Sequence, residues 1–441
     1  MASFTSLGVS HPLVSRLEEM NITHPTEIQE KTIPLLLNEK VDLIGQAHTG
    51  TGKTIAFGIP LLERLKGGQV LPQALIMVPT RELGAQIAES LMSYAEQMDN
   101  VSIEKILGGS SLKSNIKAMN RPTDIVVATP GRIMDLLERN AIDLSEIEYV
   151  VLDEADEMLN KGFKDSIVHI LKKTKASRST WLFSATMPTS IKSLVHDHLK
   201  KGYREVKIKD TEEIKGQITH QYIVVDPIEK LETLTHFLNE HEGERGIIFC
   251  RTKAGVNKLH KQMAVNRFSS GAVHGDLPQG LRDKVMNQFR EGHIKLLIAS
   301  DVVARGIDIK DVSFVVNYQF PDLAEYYTHR SGRTGRAGKD GVSLSILFEE
   351  ELEKFKEVEE ELAIDFQRIE KPSEYDLIAN NVLTWAKRLA KVKPQVSDLE
   401  MRKKVADVLS NFSKDELLDR LITSELQGAM PHEIKTKGGQ K

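Results

Sequence analysis

Residues 41–54 read VDLIGQAHTGTGKT, an apolar run, then a glycine-rich turn, then Lys53 and Thr54 opening a further stretch. A short apolar run bounded by turn residues reads as a buried strand, and Gly50 and Gly52 let the chain turn sharply from strand into helix. Similar runs follow at 73–80 (QALIMVPT), 124–130 (DIVVATP), 149–156 (YVVLDEAD) and 180–186 (TWLFSAT). Residues 80–94 and 131–139 between them have helical spacing, and strand alternating with helix means a doubly wound parallel α/β sheet. This first domain is expected over 1–205. A polar stretch, KDTEEIKG at 209–216, falls in a linker expected at 206–217. A second series, QYIVVD, GIIFCRT, KLLIAS and FVVNYQ, then predicts a second α/β domain over 218–365. The plan repeats without obvious sequence repetition, which points to similar layering and to a cleft between two domains.

The chain has 441 residues, of which 28% are charged and 40% apolar, the balance of a globular protein with real cores. Lys and Arg number 59 against 63 Asp and Glu, a net charge of −4, so any binding to nucleic acid must be local. Cys250 is the single cysteine, which excludes an internal disulfide or a thiolate cluster and suits a reducing cytosol. The opening residues lack the pattern of a signal peptide, and no apolar stretch approaches the roughly 20 residues that cross a bilayer. The expected location is cytoplasmic, with no membrane partner.

AHTGTGKT at 47–54 carries the chemistry a triphosphate needs. Glycines let backbone amides close around phosphate oxygens, Lys53 neutralises β and γ charge, and Thr54 offers a hydroxyl to Mg²⁺. Ala47 stands where the general pattern has its first glycine. YVVLDEAD delivers two adjacent carboxylates at the carboxyl end of a strand, where α/β proteins bind ligands. Asp153 is placed to hold Mg²⁺ through water, and Glu154 to orient and deprotonate an attacking water. Together these predict an ATPase.

Asp153, Glu154, Ala155 and Asp156 spell the box of the DEAD-box ATP-dependent RNA helicases, which this chain resembles through an ordered series of motifs. They are HPTEIQ (24–29), AHTGTGKT, PTREL (79–83), Gly108 with Gly109, TPGR (129–132), DEAD, SAT (184–186), IIFCRT (247–252), HGDLPQGLR (274–282), SDVVARGID (300–308) and HRSGRTGR (329–336). The resemblance implies two tandem RecA-like domains that close on ATP and RNA. It implies a nucleotide site at Phe4, Thr26, Gln29, Ala47, His48, Thr49, Gly50, Thr51, Gly52, Lys53, Thr54 and Asp308. Gln29 would select adenine through its paired donor and acceptor, Phe4 would stack on the base, and Asp308 would meet the ribose. Ile22 replaces the family's aromatic beside the Q motif. Arg333 and Arg336 would be arginine fingers reaching the γ-phosphate from the second domain, with His329, Ser184 and Thr186 linking closure to catalysis.

By the same resemblance Pro79, Arg81, Gly109, Thr129 and Arg132 in the first domain face the sugar-phosphate backbone of RNA. Arg251, Gly275, Arg282 and Ser300 match such positions in the second. Contacts to phosphates fix register without reading sequence, and 2′-hydroxyls distinguish RNA from DNA. Residues 251–300 hold nine basic side chains and three acidic ones, a local surplus of six. The implied activity is RNA-stimulated ATP hydrolysis with local unwinding of short duplexes. The alternatives are an ATP-gated RNA clamp or assembly scaffold and, disfavoured by the DEAD box itself, a translocating DNA helicase.

Residues 349–361 carry eight Glu, read as a solvated surface helix with Leu352, Phe355 and Leu362 on one face. Beyond Pro372, Ile378, Val382, Trp385, Leu389 and Val392 keep helical spacing, and Ser397 and Ser413 each precede a Glu by three residues, the mark of capping boxes. A helical extension is therefore expected over 366–426, before a tail at 427–441. It resembles the extension of bacterial cold-shock DEAD-box helicases, which implies a homodimer, and docking onto the chain's own second domain is the alternative. A ribosomal particle or RNA decay machinery is the further partner class implied.

Overall fold

The computed structural model describes residues 2–47, 51–98, 101–109, 111–208, 218–301, 312–335, 340–393 and 398–429. The apolar runs form two parallel sheets of seven strands. The first contains β1 (Leu43–Gln46), β2 (Ala74–Met77), β3 (Ile103–Ile106), β4 (Ile125–Ala128), β5 (Tyr149–Leu152), β6 (Ser179–Ser184) and β7 (Arg204–Lys207). The second contains β8 (Ile218–Val224), β9 (Gly246–Cys250), β10 (Ser270–Val273), β11 (Leu296–Ser300), β12 (Phe314–Asn317), β13 (Gly341–Leu347) and β14 (Gln367–Arg368). The first sheet runs 3-4-2-5-6-1-7 and the second 10-11-9-12-13-8-14, the same order with seven added to each strand. The two lobes are thus one topology used twice, as the tandem RecA-like reading expects.

Every strand pair is parallel, so each lobe gathers the carboxyl ends of its strands along one edge. β2, β4, β5 and β6 are buried along their whole length, because helices cover both faces. The helix-opening turns repeat as well. Thr80 after β2 accepts a hydrogen bond from the Leu83 N–H, and Thr252 after β9 accepts one from Gly255, each capping the helix that follows. β7 carries the first sheet to Lys207, and β14 pairs with β8 at Gln367 and Arg368. The sheets therefore extend slightly past the ends expected at 205 and 365.

The acidic helix Leu352–Leu362 is only half solvated. Phe355 and Val358 are buried and pack with Phe320, Tyr327 and Phe366. Farther on, helix Glu374–Lys391 starts on a capping box between Ser373 and Asp376. It lies on the second lobe, with ion pairs Lys371–Glu229 at 2.7 Å and Lys387–Glu242 at 3.3 Å. Asp398 caps helix Leu399–Leu409, accepting from the amides of Glu400 and Met401. The expected cap Ser397 lies outside the described residues. Ser413 and Glu416 form the second capping box as expected. No described helix is long and apolar enough to cross a membrane.

Candidate active site

The carboxyl edge of the first sheet collects acids. β5 ends at Leu152, and Asp153, Glu154, Asp156 and Glu157 follow, all at most 4% exposed. Glu154 turns the chain from strand into helix Ala155–Asn160 with φ 50° and ψ 53°. A residue with a side chain held in this left-handed region costs about 1–3 kcal/mol, and the cost falls on the residue expected to be the base. Lys53, 7% exposed, opens helix Lys53–Arg64, and its ammonium donates to the Ala47 carbonyl at 3.1 Å. Burial pushes the Asp153 carboxyl up to about 6, with the Lys53 charge opposing the shift and the Glu154 charge adding to it. Thr54 follows Lys53, half-buried.

Gln29 is buried and spends both ends of its amide on protein. Its Oε1 accepts from the Thr26 N–H at 2.9 Å, and its Nε2 donates to the Gly52 carbonyl at 3.0 Å. The Thr26 hydroxyl donates to the Thr51 carbonyl at 2.7 Å. The segment expected to read adenine therefore braces the phosphate turn in this structure. Gly52 is required there: its φ is +92°, and an added Cβ would stand 2.2 Å from the Gln29 amide nitrogen. Phe4, expected on the base, is 2% exposed within the first lobe's apolar core, where Ile22 also packs. Of the expected nucleotide and finger residues, His48, Thr49, Gly50, Asp308 and Arg336 lie outside the described residues.

SAT and the box meet through Asp156. Its Oδ2 accepts from the Ala185 and Thr186 amides at 3.2 and 2.9 Å and from the Thr186 hydroxyl at 2.9 Å, while Ser184 Oγ donates to the Thr186 carbonyl at 2.7 Å. Across the cleft, helix Ala324–Ser331 carries His329, whose Nε2 stands 3.6 Å from Glu325 Oε1. Polar atoms of Asp156, Glu325 and His329 all lie within 4.8 Å of one another, so SAT, the box and the His329 helix converge. Arg333, just past that helix, is 3% exposed, and its Nε donates to the His329 carbonyl at 3.3 Å.

Arg330, which the motif reading passed over, is 1% exposed, more buried than Arg333. It grips both oxygens of Asp301 at 2.5 and 2.6 Å and donates to Asn317 Oδ1 and the Gln319 carbonyl at 3.0 and 2.8 Å. Its signal was the first arginine of HRSGRTGR.

The expected RNA residues divide into two kinds. Arg81 lies against Gly109, where an added Cβ would meet its guanidinium, and donates to Gln279 Oε1 of the second lobe at 3.2 Å. Arg282 pairs with Glu82 across the cleft at 2.5 Å and donates to the carbonyls of His274 and Gly275. These two guanidiniums bridge the lobes in this structure. Arg132 donates to Asn115 Oδ1 at 2.9 Å, and Arg251 pairs with Asp322 at 3.0 Å with 41% of its side chain exposed. The Thr129 hydroxyl accepts from the Gly108 N–H at 3.3 Å, Pro79 is buried, and Ser300 ends β11.

Family models place this arrangement among known proteins. One for DEAD/DEAH box helicases matches residues 26–194, and one for the helicase conserved C-terminal domain matches 229–338. The chain is 40% identical over 373 residues to the DEAD-box ATP-dependent RNA helicase CshA of Geobacillus kaustophilus (strain HTA426), over 85% of this chain and 79% of that protein. Among solved structures, S. cerevisiae Dbp5 bound to RNA and ADP BeF3 is similar with a TM-score of 0.76 at 29% identity, over 89% of this chain and 99% of that one. Mss116p bound to ssRNA and AMP-PNP is similar with a TM-score of 0.75 at 26% identity, over 88% of this chain and 86% of that one.

Proposed function

The chain belongs to the DEAD-box family of ATP-dependent RNA helicases, and on that premise we propose that it closes its two lobes on ATP and single-stranded RNA together, hydrolyses the ATP in the closed state, and strains short duplexes apart as it closes. The observation that carries this reading is the division of charge. Buried acids with Lys53 line one side of the cleft, and a helix leading into buried Arg333 lines the other.

Lys53 neutralises the β- and γ-phosphates, and Glu154, held by its turn at the strand end, takes the proton of the attacking water. Arg333, with Arg336 beyond it, supplies positive charge to the transition state only when the lobes meet, which makes hydrolysis conditional on closure. Mg²⁺ fits the acidic edge: four buried carboxylates against Lys53 and Lys161 leave surplus negative charge and oxygen donors, the setting a hard cation takes. Asp153 and the Thr54 hydroxyl would hold it, and when bound it would supply further neutralisation of phosphate charge.

RNA as the polymer is supported by the RNA-bound structures to which this chain is similar. Arg132 and Arg251, with the amide of Gly109 and the hydroxyls of Thr129 and Ser300, are the groups offered to its backbone. The clamp reading shares this machinery and differs in outcome. An assay of a short RNA duplex, blunt or with a single-stranded overhang, with ATP or a non-hydrolysable analogue, separates them. Strand separation with ATP that weakens steeply as the duplex lengthens supports the helicase. Long-lived RNA binding with the analogue and no strand separation under any condition supports the clamp and sinks the helicase.

A further inference from the structure

Helix Ala155–Asn160 is six residues long, a rod of about 9 Å at 1.5 Å per residue. Its first turn holds Asp156, already bound by SAT, and Glu154 stands at its entry. Its other end is tied twice. Asn160 Nδ2 donates to Glu325 Oε2 of the second lobe at 2.9 Å. Lys161, which closes the helix, donates from Nζ to the Pro79 carbonyl at 3.3 Å and pairs with buried Glu157 at 3.1 Å. One end of the rod therefore bears on the catalytic acid, while the other touches the PTREL turn and the helix that leads to Arg333.

We propose that Asn160, through its hydrogen bond to Glu325, is a positioning residue that registers the arrival of the second lobe and holds the box helix where Glu154 and Arg333 face one nucleotide. The inference rests on the ATPase reading above. Glu325 lies beside both His329 and Asp156, so two carboxylates come close across the closing cleft. The Asn160 amide supplies a neutral donor at that point and relieves their repulsion. Lys161 makes the contact mechanically useful: anchored to Pro79 and Glu157, the helix end cannot yield when Glu325 engages. Burial drives the Lys161 ammonium down to about 8, with the charges of Glu154 and Glu82 opposing the shift, as expected of a lysine enclosed between these segments.

The test is a swap. Asn160→Asp puts a third carboxylate against Glu325 and removes the donor. Asn160→Asp with Glu325→Gln restores one donor and one acceptor with their positions exchanged. Lobe separation is read by donor and acceptor dyes on full-length protein with RNA and a non-hydrolysable ATP analogue, and turnover by RNA-stimulated ATP hydrolysis. Asn160→Asp is expected to lower the closed-to-open ratio and the RNA-stimulated kcat by about tenfold, the factor that 1.4 kcal/mol represents, with the KM for ATP nearly unchanged. The double variant is expected to recover both to within about threefold of wild type, a partial return in keeping with the context dependence of single hydrogen bonds. Wild-type closure and turnover in Asn160→Asp overturn the inference. So does a defect that the swap leaves uncorrected, since that marks a merely structural role. Wild-type protein that hydrolyses no ATP removes the ATPase reading, and wild-type protein that hydrolyses it without regard to RNA removes its coupling to closure on RNA; either takes this inference with it before any variant is compared.

Discussion

The two lobes repeat one strand order and bury opposite charge. After β5 the first lobe buries Asp153, Glu154, Asp156 and Glu157. The second lobe buries Arg282, Arg330 and Arg333. Buried ions are costly unless paired, and burial is what pushes the Asp153 carboxyl up, against the pull of the Lys53 charge. Part of this pairing is completed only across the cleft, where Arg282 meets Glu82. The sharpest way to break this comparison is to remove one member from each side. Glu154→Gln should lower RNA-stimulated turnover by about 10²–10⁴-fold, the usual worth of a positioned base, with ATP and RNA affinity kept. Arg333→Ala should lower it by on the order of 10³-fold or more. Because both act in one transition state, the double variant should be scarcely worse than the weaker single one. Multiplying losses in single-turnover hydrolysis would show that the two lobes act independently.

Among these arginines a second contrast separates residues that cross the cleft from one that does not. Arg282 finds its carboxylate on the first lobe, in Glu82, whereas Arg330 finds its own in Asp301 of the same lobe. Arg330 is therefore structural, fixing the last turn of the helix that leads to Arg333. Arg330→Met strips Asp301, 19% exposed, of its bidentate partner and should destabilise the second lobe by about 3 kcal/mol, the low end of the range for a fully buried pair. Arg330→Met with Asp301→Asn should recover much of that. Denaturant unfolding followed on the second lobe measures both, and a single variant as stable as wild type would return Arg330 to the candidate ligands of the nucleotide.

The central strands were legible because strands buried on both faces need no polar alternation, and β2, β4 and β5 are unbroken apolar runs. β3 and β7 escaped because they are edge strands, IEKI and REVK, whose outward positions are charged. β13 escaped for a different reason. Its serines look like a loop in sequence, yet Ser343 and Ser345 are fully buried and bonded to Tyr327 and Asn317. In the site, Asp153 and Glu154 follow β5, Lys53 opens the helix after the phosphate turn, and Arg333 follows the His329 helix. Spacing could not reveal that Arg81 and Arg282 take partners across the cleft, since that depends on Gln279 and Glu82, residues distant in sequence. Nor could it distinguish Asn160 from any polar residue at a helix end. Gln29 was legible as an amide with two faces, and the structure shows which groups those faces meet without a base present.

The comparison also predicts unequal responses to acid. β8 holds the place in its sheet that β1 holds in the other, and it carries His220, where β1 has no ionisable residue. His220 Nδ1 lies 2.6 Å from the Tyr327 hydroxyl, which in turn is 3.0 Å from Ser343 Oγ, and its ring meets Phe366 edge-on. Burial drives the imidazole down to about 4 from an ordinary 6.5. Between those values the unfolded chain binds a proton that the folded lobe refuses, so stability is intact above about pH 6.5 and falls as the pH drops toward 4. The full window corresponds to about 3 kcal/mol at most, from 1.36 kcal/mol per pKa unit. Hydrogen exchange of the β8 amides across that range should therefore show protection falling faster than at β1. His220→Gln, which keeps a hydrogen-bonding partner for Tyr327 but cannot titrate, should flatten the difference even if it lowers stability at every pH. Equal slopes at β8 in wild type and His220→Gln would mean that the aromatic cluster beneath the His329 helix is indifferent to this proton, leaving the cleft charges as the sole acid-sensitive feature that distinguishes the lobes.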